Sequence, residues 1–466
     1  MNRYINMVPD KLQRVYFIGI GGIGMSALAR YFMAGGFRVA GYDRVESKLT
    51  LQLSTEGSLI HYVDNVDKIP GIYRDINKKE EVLVVYTPAI PEAHTELIFF
   101  RNLGFRVAKR AEVLGWITRK TKCIAVAGTH GKTTVSTIIA HLLKQSELDC
   151  SAFLGGISIN YNTNLLLGKS DLVVLEADEY DRSFLQLYPW LAVVTAIDAD
   201  HLDIYGGKGE MEKAFVEFIR QIKPGGILLI KKGLSLESEN LNDVSKYTYG
   251  INTNADFYCS DVTISEGLYM FNIHTPYGII KDIHFGYPGR MNVENAVAAV
   301  ATLILLGVKQ ETIKNALFYF SGVKRRFEIV FKSDKLVYID DYAHHPEELK
   351  ACIASVRELF PGKSITGVFQ PHLYSRTQIF ANEFAGSLDE LDELILLDIY
   401  PAREKPVPGV TSEMVLQKMK MENKQLAKKE SLVDLLGNKD FEVLLTLGAG
   451  DIGDFVEPLK IMLKNR

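Results

Sequence analysis

The sequence predicts an α/β protein built on mostly parallel sheets in successive domains, and three observations carry that prediction. Short apolar runs recur along the chain, and many of them lead into a stretch of helical period. Most of these runs end in a glycine-rich or acidic cluster, which is what the carboxyl ends of parallel strands deliver into a ligand crevice. At 466 residues the chain is too long for a single hydrophobic core, so two to three domains follow.

Composition narrows the functional classes. Apolar residues make up 47% of the chain and charged residues 24%, with a net charge of −4, as in an ordinary globular protein. With 53 basic and 57 acidic residues, no global field favours nucleic acid or a membrane surface as partner. Four cysteines, Cys123, Cys150, Cys259 and Cys352, stand far apart without a C-x-x-C pair, a usage that fits buried thiols in a reducing compartment. Residues 1–14 are polar and charged, and the longest apolar run, 296–308, is only about 13 residues, too short to span a bilayer. A cytoplasmic monomer or homodimer, with neither nucleic acid nor membrane as partner, is expected.

In residues 1–118, the run 15–18 reads as a strand and Gly19-Ile20-Gly21-Gly22-Ile23-Gly24 as a G-x-G-x-x-G turn. A helix is expected from Met25 to about Gly35. The run 37–41 gives a second strand with Asp43 at its end, the place for an acid that binds ribose. Physically the loop asks only for a diphosphate at a helix N-terminus, so a dinucleotide and a UDP-linked substrate satisfy it equally. Gly19, Gly21, Gly22, Ile23, Gly24 and Asp43 are the candidate residues. Further βα units follow, with strands at 82–86 and 106–108 and helices at about 92–103 and from Arg110 onward.

Residues 119–324 centre on the stretch 125–134. An apolar run, 123–127, reads as a buried parallel strand that breaks at Gly128, passes Gly131 and enters a helix from Lys132 to about Lys144. Small residues let backbone N–H groups wrap an anion, the helix N-terminus adds partial positive charge, and Lys132 adds a full one. Thr133 is the residue type that puts a hydroxyl on a magnesium ion held by the same phosphates. The loop is a shortened variant of the usual phosphate-binding pattern, since residues 125–127 hold no glycine. Gly128, Thr129, His130, Gly131, Lys132, Thr133 and Thr134 are its candidates, and ATP is the implied ligand. Strand 171–175 runs into Glu176-Ala177-Asp178-Glu179-Tyr180-Asp181, and strand 191–197 into Asp198-Ala199-Asp200-His201-Leu202-Asp203. Glu176 and His201 are candidates for holding magnesium beside the phosphates. Zinc fits less well, because no cysteine or third histidine lies nearby. Most of Asp178, Glu179, Asp181 and Asp203 are expected in solvated loops and caps. Residues 225–287 change texture to short strands and turns. An Ala-rich helix then opens at 288–296, where Arg290, Asn292 and Asn295 either cap it or read a base edge.

In residues 325–466, Arg325-Arg326-Phe327-Glu328 begins a new run of strands. Polar or glycine-rich clusters follow at 340–346, 370–377, 398–404 and 448–453. Strands that each deliver such a cluster make a third α/β domain with a site along one edge. The glycines at 448–453 mark another anion loop or a close backbone approach.

Assembled, the segments 19–29, 128–134 (GTHGKTT), 176–181, 200–201, 289–296, 325–327, 340–346 and 369–377 resemble the Mur ligase family along the whole chain. These are the ATP-dependent amide-forming enzymes of peptidoglycan precursor assembly, and the likeness is to the branch that adds L-alanine. Tyr180, where a serine is common, and Pro401-Ala402-Arg403, where Pro-Ala-Gly is more usual, depart from its pattern. The resemblance implies an N-terminal Rossmann-like UDP-binding domain (1–118) and a central P-loop ATP-binding domain with a mostly parallel sheet (119–324). A C-terminal Rossmann-like domain (325–466) would close over the substrate. UDP-N-acetylmuramate and L-alanine are the implied substrates, with ATP and Mg2+ as cofactors. Lys132 would hold the β- and γ-phosphates, and Thr133, Glu176 and His201 the magnesium. Asn292, Asn295 and Arg326 would hold ATP. His344, His372 and Arg376 would contact the muramate-linked group and the amino acid. For His345 a packed or capping role stands beside a contact. Sister ligases carry a carbamylated lysine, for which only Lys208 and Lys213 stand nearby, and the alanine-adding branch is thought to do without it.

Rival readings explain less. A recycling ligase that attaches a whole tripeptide shares the loop chemistry and differs in the third-domain pocket. A folylpolyglutamate or cyanophycin-type ligase lacks the loop at 19–24. An NAD(P)-dependent dehydrogenase leaves the loop at 128–134 without a purpose, and a non-catalytic nucleotide-binding module has no use for Lys132, Glu176 and His201 together.

Overall fold

The structure is a computed structural model that describes residues 11–198, 205–236, 241, 243–265, 267–402 and 404–465. The described strands form sheets of five, ten and six strands. The chain divides into two compact units. The first is Met1–Val262 with Phe271–His284 and Glu294–Phe320, and the second is Thr263–Met270 with Phe285–Val293 and Ser321–Arg466.

Strands β1 (Arg14–Ile18), β2 (Arg38–Tyr42), β3 (Leu59–His61), β4 (Val82–Tyr86) and β5 (Arg106–Lys109) make the first sheet, in the order β3-β2-β1-β4-β5. All its pairings are parallel. β1 and β4 are buried along their whole length, as apolar runs covered on both faces must be. Strand order reverses at β1, so the crevice at its carboxyl end opens at Gly19.

The second sheet comprises β6 (Lys122–Ala127), β7 (Ser151–Ser158), β8 (Thr163–Leu166), β9 (Leu172–Ala177), β10 (Leu191–Val194), β11 (Gly226–Lys231), β12 (Val244–Ile251), β13 (Phe257–Ser265), β14 (Leu268–Thr275) and β15 (Gly278–Phe285). Its order is β15-β14-β13-β12-β11-β10-β6-β9-β7-β8. β6 lies between β10 and β9, parallel to both. The register sets Val126 opposite Glu176, one strand over from the 128–134 loop.

In the first unit the two sheets share a core. Val15, Phe17, Leu28 and Phe32 belong to the same buried cluster as Phe153, Leu165 and Val173. The helix Ile23–Ala34 makes the junction, with the Tyr31 ring 5.2 Å from that of Phe153. Buried Asn164 on β8 donates to Ile23 O (2.6 Å) and Ser26 Oγ (2.9 Å) and accepts from Arg30 Nη1 (2.5 Å).

The third sheet holds β16 (Glu328–Lys332), β17 (Val337–Asp341), β18 (Ile365–Phe369), β19 (Glu393–Leu397), β20 (Lys424–Ala427) and β21 (Val443–Leu447), ordered β16-β17-β21-β18-β19-β20. Only β16 runs antiparallel. Side chains alternate between two cores, Ile339, Phe369, Leu396 and Leu445 on one face and Tyr338, Val368, Ile395 and Leu444 on the other.

The α/β class and the parallel sheets agree with the sequence prediction. Element ends differ locally. The helix predicted at 92–103 is Thr95–Asn102, because residues 91–94 close a turn, His94 N–H to Pro91 O at 3.0 Å. The strand predicted at 191–197 stops at Val194, where Thr195 turns to brace the phosphate loop. All four cysteines are buried and free, and no helix among the described residues is long and apolar enough to cross a membrane.

Candidate active site

The loop after β6 is shaped by two glycines. Gly128 has φ 136° and Gly131 φ 80°, conformations that strain any residue with a Cβ. Space forbids a Cβ as well, since one on Gly128 would collide with Thr195 Oγ1 and one on Gly131 would stand 2.8 Å from Asn295 Oδ1. The far side of the loop is pinned from the end of β10. Thr129 N–H donates to Ala196 O (3.1 Å) and Asp198 N–H to Thr129 Oγ1 (3.1 Å), and Thr195 Oγ1 donates to Ala127 O (3.2 Å) and His130 O. His130 Nε2 lies 3.5 Å from Asp198 Oδ2. Gly131 caps the helix Lys132–Lys144 without a side chain, which leaves the first N–H groups facing whatever the loop surrounds.

Lys132 reaches back across this loop. Its Nζ donates to Gly128 O at 2.6 Å and to Glu179 Oε1 and Oε2 at 2.9 and 2.8 Å. Burial pulls the ammonium pKa down, but the carboxylates of Glu179, Asp178 and Glu176 outweigh it and hold the group above its ordinary value. Glu176 turns its Oε1 to Gly155 N–H (2.7 Å) and Ser136 Oγ (3.4 Å). Among the described residues no donor reaches its Oε2.

The first glycine loop is also a cradle. Gly19 has φ 88° and gives its N–H to Tyr42 O at 2.8 Å. Gly21 N–H donates to Asp43 Oδ2 at 2.7 Å, where a Cβ on Gly21 would sit 2.8 Å from that oxygen. Asp43 Oδ1 takes Val45 N–H at 3.2 Å, so this acid braces the loop with both oxygens. Gly22 caps the helix Ile23–Ala34 with no side-chain bond.

In the second unit a polar cluster collects at the carboxyl ends of β17, β18, β19 and β21. The ring of His344 meets that of His372 at 5.9 Å, and His372 stacks on Tyr400 at 5.7 Å. His344 Nδ1 lies 2.9 Å from Tyr342 O and 3.3 Å from Glu348 Oε2. Both partners are acceptors, so Nδ1 carries the proton. Burial is the largest effect on His344 and, with Arg376 and Arg326, outweighs the pull of Glu348, leaving its pKa lowered to about 4. Arg326 and Arg325 stack over Tyr342 at 4.8 and 5.2 Å. Arg376 is itself buried. Asp341 accepts from Phe327 N–H (2.6 Å) and Ala343 N–H (2.7 Å), and burial pushes its carboxyl up to about 6.

Known proteins resemble this chain in sequence and in fold. The segments match the profiles "Mur ligase family, catalytic domain" at 14–122, "Mur ligase middle domain" at 126–303 and "Mur ligase, glutamate ligase domain" at 325–450. The chain is 52% identical over 455 residues to the UDP-N-acetylmuramate–L-alanine ligase of Parabacteroides distasonis, covering 97% of this chain and 98% of that one. The chain belongs to the Mur ligase family. The ligase of the same name from Porphyromonas gingivalis is also 52% identical, over 97% and 99% of the two chains. Among solved structures, the UDP-N-acetylmuramate–alanine ligase of Thermotoga maritima superposes with a TM-score of 0.82 at 27% identity over 97% and 99% of the chains. A murein peptide ligase from Psychrobacter arcticus shares the fold, with a TM-score of 0.70 at 19% identity over 97% and 99%.

Within this Mur ligase chain, Gly128–Thr134, Glu176 and Asn295 come together, as do His344, His372 and Arg376. Asn292 and Arg326 fall in the second unit, Asn295 in the first. Asn292 Nδ2 donates to Pro288 O, and Arg290 pairs with Glu358 at 2.7 Å. His345 packs its ring on Phe380 at 4.8 Å and caps the helix Pro346–Leu359. His201, Asp200, Asp203 and Arg403 lie outside the described residues. Among those described, no group of three or more His, Cys, Asp or Glu is placed to hold a metal. Lys213 is exposed and paired with Glu210.

One expectation is overturned. Glu179, read as part of a solvated loop, is buried with its side chain 1% exposed and paired to Lys132. An acid in an acidic run looks solvated until its cation is located 47 residues away, and the only hint was the basic residue in the loop. The glycines at 448–453 resolve as a close approach. Gly448 O accepts from Arg325 Nη2 at 2.6 Å, Arg325 Nε pairs with buried Asp340 at 3.1 Å, and a Cβ on Gly450 would collide with Gln370.

Proposed function

We propose that this protein is an ATP-dependent ligase that joins L-alanine to UDP-N-acetylmuramate, giving UDP-N-acetylmuramoyl-L-alanine, ADP and phosphate in peptidoglycan precursor synthesis. The observation that carries the reading is a glycine loop with Lys132 inside it and Glu176 on the neighbouring strand, in a chain 52% identical to alanine ligases along 97% of its length.

The chemistry explains why such a site is needed. A carboxylate is a poor acyl donor because oxide would have to leave. The muramate carboxylate therefore attacks the γ-phosphorus of ATP and ADP departs. The amine of alanine then attacks the carbonyl of the resulting acyl phosphate, and phosphate is expelled through a tetrahedral intermediate. The first attack brings two anions together, and positive charge aimed at that point lowers its barrier. Lys132 is the group for that task. Thr133, at the start of its helix, and Glu176, one of whose oxygens takes no donor among the described residues, fit a magnesium site, and we assign His201 to it as well. When bound, magnesium would neutralise phosphate charge.

The loop Gly19, Gly21, Gly22, Ile23, Gly24 is assigned to the UDP diphosphate, and Asp43, just after β2, to the ribose of the same UDP-sugar. Asn292, Asn295 and Arg326 are assigned to ATP, and His344, His372 and Arg376 to the muramate-linked group and alanine. Functional borders are set near residues 118 and 324. Free, buried thiols fit a reducing compartment, and we assign the enzyme to the cytoplasm.

The test is phosphate release from ATP in the presence of UDP-N-acetylmuramate. It is run with and without L-alanine, with the tripeptide L-Ala-γ-D-Glu-meso-diaminopimelate, and with NADH. Alanine-dependent release is expected. Release with tripeptide alone would move the reading to a recycling ligase, and no release with either would end it.

A further inference from the structure

Lys132 is governed by a residue that belongs neither to the loop nor to the proposed magnesium site. A lysine ammonium has three hydrogens to give. Those of Lys132 meet three acceptors, Gly128 O and the two carboxylate oxygens of Glu179, all between 2.6 and 2.9 Å. The Glu179 side chain is 1% exposed and that of Lys132 16% exposed, so the pair is nearly out of water. Its place is fixed by the turn that follows β9. Arg182 N–H donates to Glu179 O at 3.0 Å, Phe184 N–H to Asp178 O at 2.9 Å, and Tyr205 OH to Glu179 O at 2.6 Å. Asp181 and Arg182 take positive φ, 52° and 54°, a strained geometry that persists only where its surroundings impose it.

We propose that Glu179 is a positioning residue that stands in for a nucleotide phosphate oxygen on Lys132. It keeps the ammonium charged and aimed across the loop while no anion is present, and it yields contacts as phosphate oxygens arrive. The inference rests on the nucleotide reading of the loop given above. A carboxylate oxygen and a phosphate oxygen offer an ammonium the same charge-assisted bond at the same length, so the exchange leaves Lys132 with a full set of acceptors throughout. A buried charge stripped of its partner is costly, and this device avoids that state in the empty protein. The displaced carboxylate remains close by as a negative charge, so nucleotide binding is weaker than the loop alone would give.

The experiment compares wild type with Glu179→Gln, using titration calorimetry with ATP in EDTA so that turnover is absent, together with thermal unfolding. Glu179→Gln is expected to lower Tm without nucleotide, because Lys132 loses its counter-charge. The same variant is expected to bind ATP ~10-fold more tightly and to gain more Tm from ATP than wild type does. Unchanged or weaker ATP binding by the variant, with wild type binding normally, overturns the inference and leaves the nucleotide reading intact. Failure of wild type to bind ATP overturns the nucleotide reading itself. If the glutamine variant does not fold, Glu179→Asp keeps the charge but withdraws it by one methylene. Tighter ATP binding by that variant, by a smaller factor, supports the inference, and equal or weaker binding overturns it.

Discussion

Burial pushes Lys132 and His344 alike toward the neutral form, and their partners decide the outcome in opposite directions. For Lys132 a carboxylate partner more than offsets desolvation, and the charge is kept. Lys132→Ala removes the charge that the proposed mechanism aims at the developing transition state, so turnover should fall at least ~100-fold in the phosphate-release assay. His344 is neutral at pH 7 because its folded-state pKa lies near 4, against an ordinary 6.5. The native state therefore binds fewer protons than the unfolded chain between those values. Its contribution is intact above pH 6.5 and is lost as pH falls toward 4. Urea midpoints at pH 7 and pH 4.5 should drop more in wild type than in His344→Gln, and equal drops would place its pKa elsewhere.

The glycine turns and the β8 hairpin extend this to groups of residues. Gly128→Ala must pay for a positive φ and a collision with Thr195 at once. A stability loss of ~1–3 kcal/mol with loss of calorimetric ATP binding is expected. Asn164→Ala leaves Ile23 O and Ser26 Oγ without a donor from β8 and takes the acceptor from Arg30 Nη1, while Arg30 keeps its pair with Glu56. A loss of ~1–3 kcal/mol in urea unfolding is the expected size for a buried polar network deprived of one member. The two glycine loops were legible in the sequence because their geometry is local, with spacing, strand and helix all within a dozen or so residues. The place of Glu176 at the end of a strand was legible for the same reason, as an acid closing an apolar run. Glu179 and Asn164 were not, since each acquires its role only from a partner brought by tertiary packing. Nor could the residues at 448–453 be resolved before Arg325 was seen to fill the space an anion would take.

Across the molecule, each unit carries its own buried clusters, centred on Phe17 and Phe153 in the first and on Ile339 and Phe369 in the second. Scanning calorimetry should therefore resolve two transitions, and ATP should raise chiefly the one that belongs to the first unit, which carries Gly128–Thr134 and Asn295. A single transition shifted as a whole would show that the two cores melt together. The fold class was readable at this level from the rhythm of apolar runs and polar ends alone. The sharing of one core between the first two sheets was not, because a helix face that packs on its own sheet looks the same in sequence as one that also packs on a neighbour.

That junction has a further consequence. Tyr31, Asn164 and Phe153 clamp the helix that begins at Gly22 onto the sheet that carries Gly128. Close-packed interiors yield little, so the two cradles are spaced like the jaws of a fixed gauge. Under the assignment proposed above, a sugar nucleotide seated in one jaw would present its acid at a set reach from the other, and the length of the sugar linkage would become a criterion for admission.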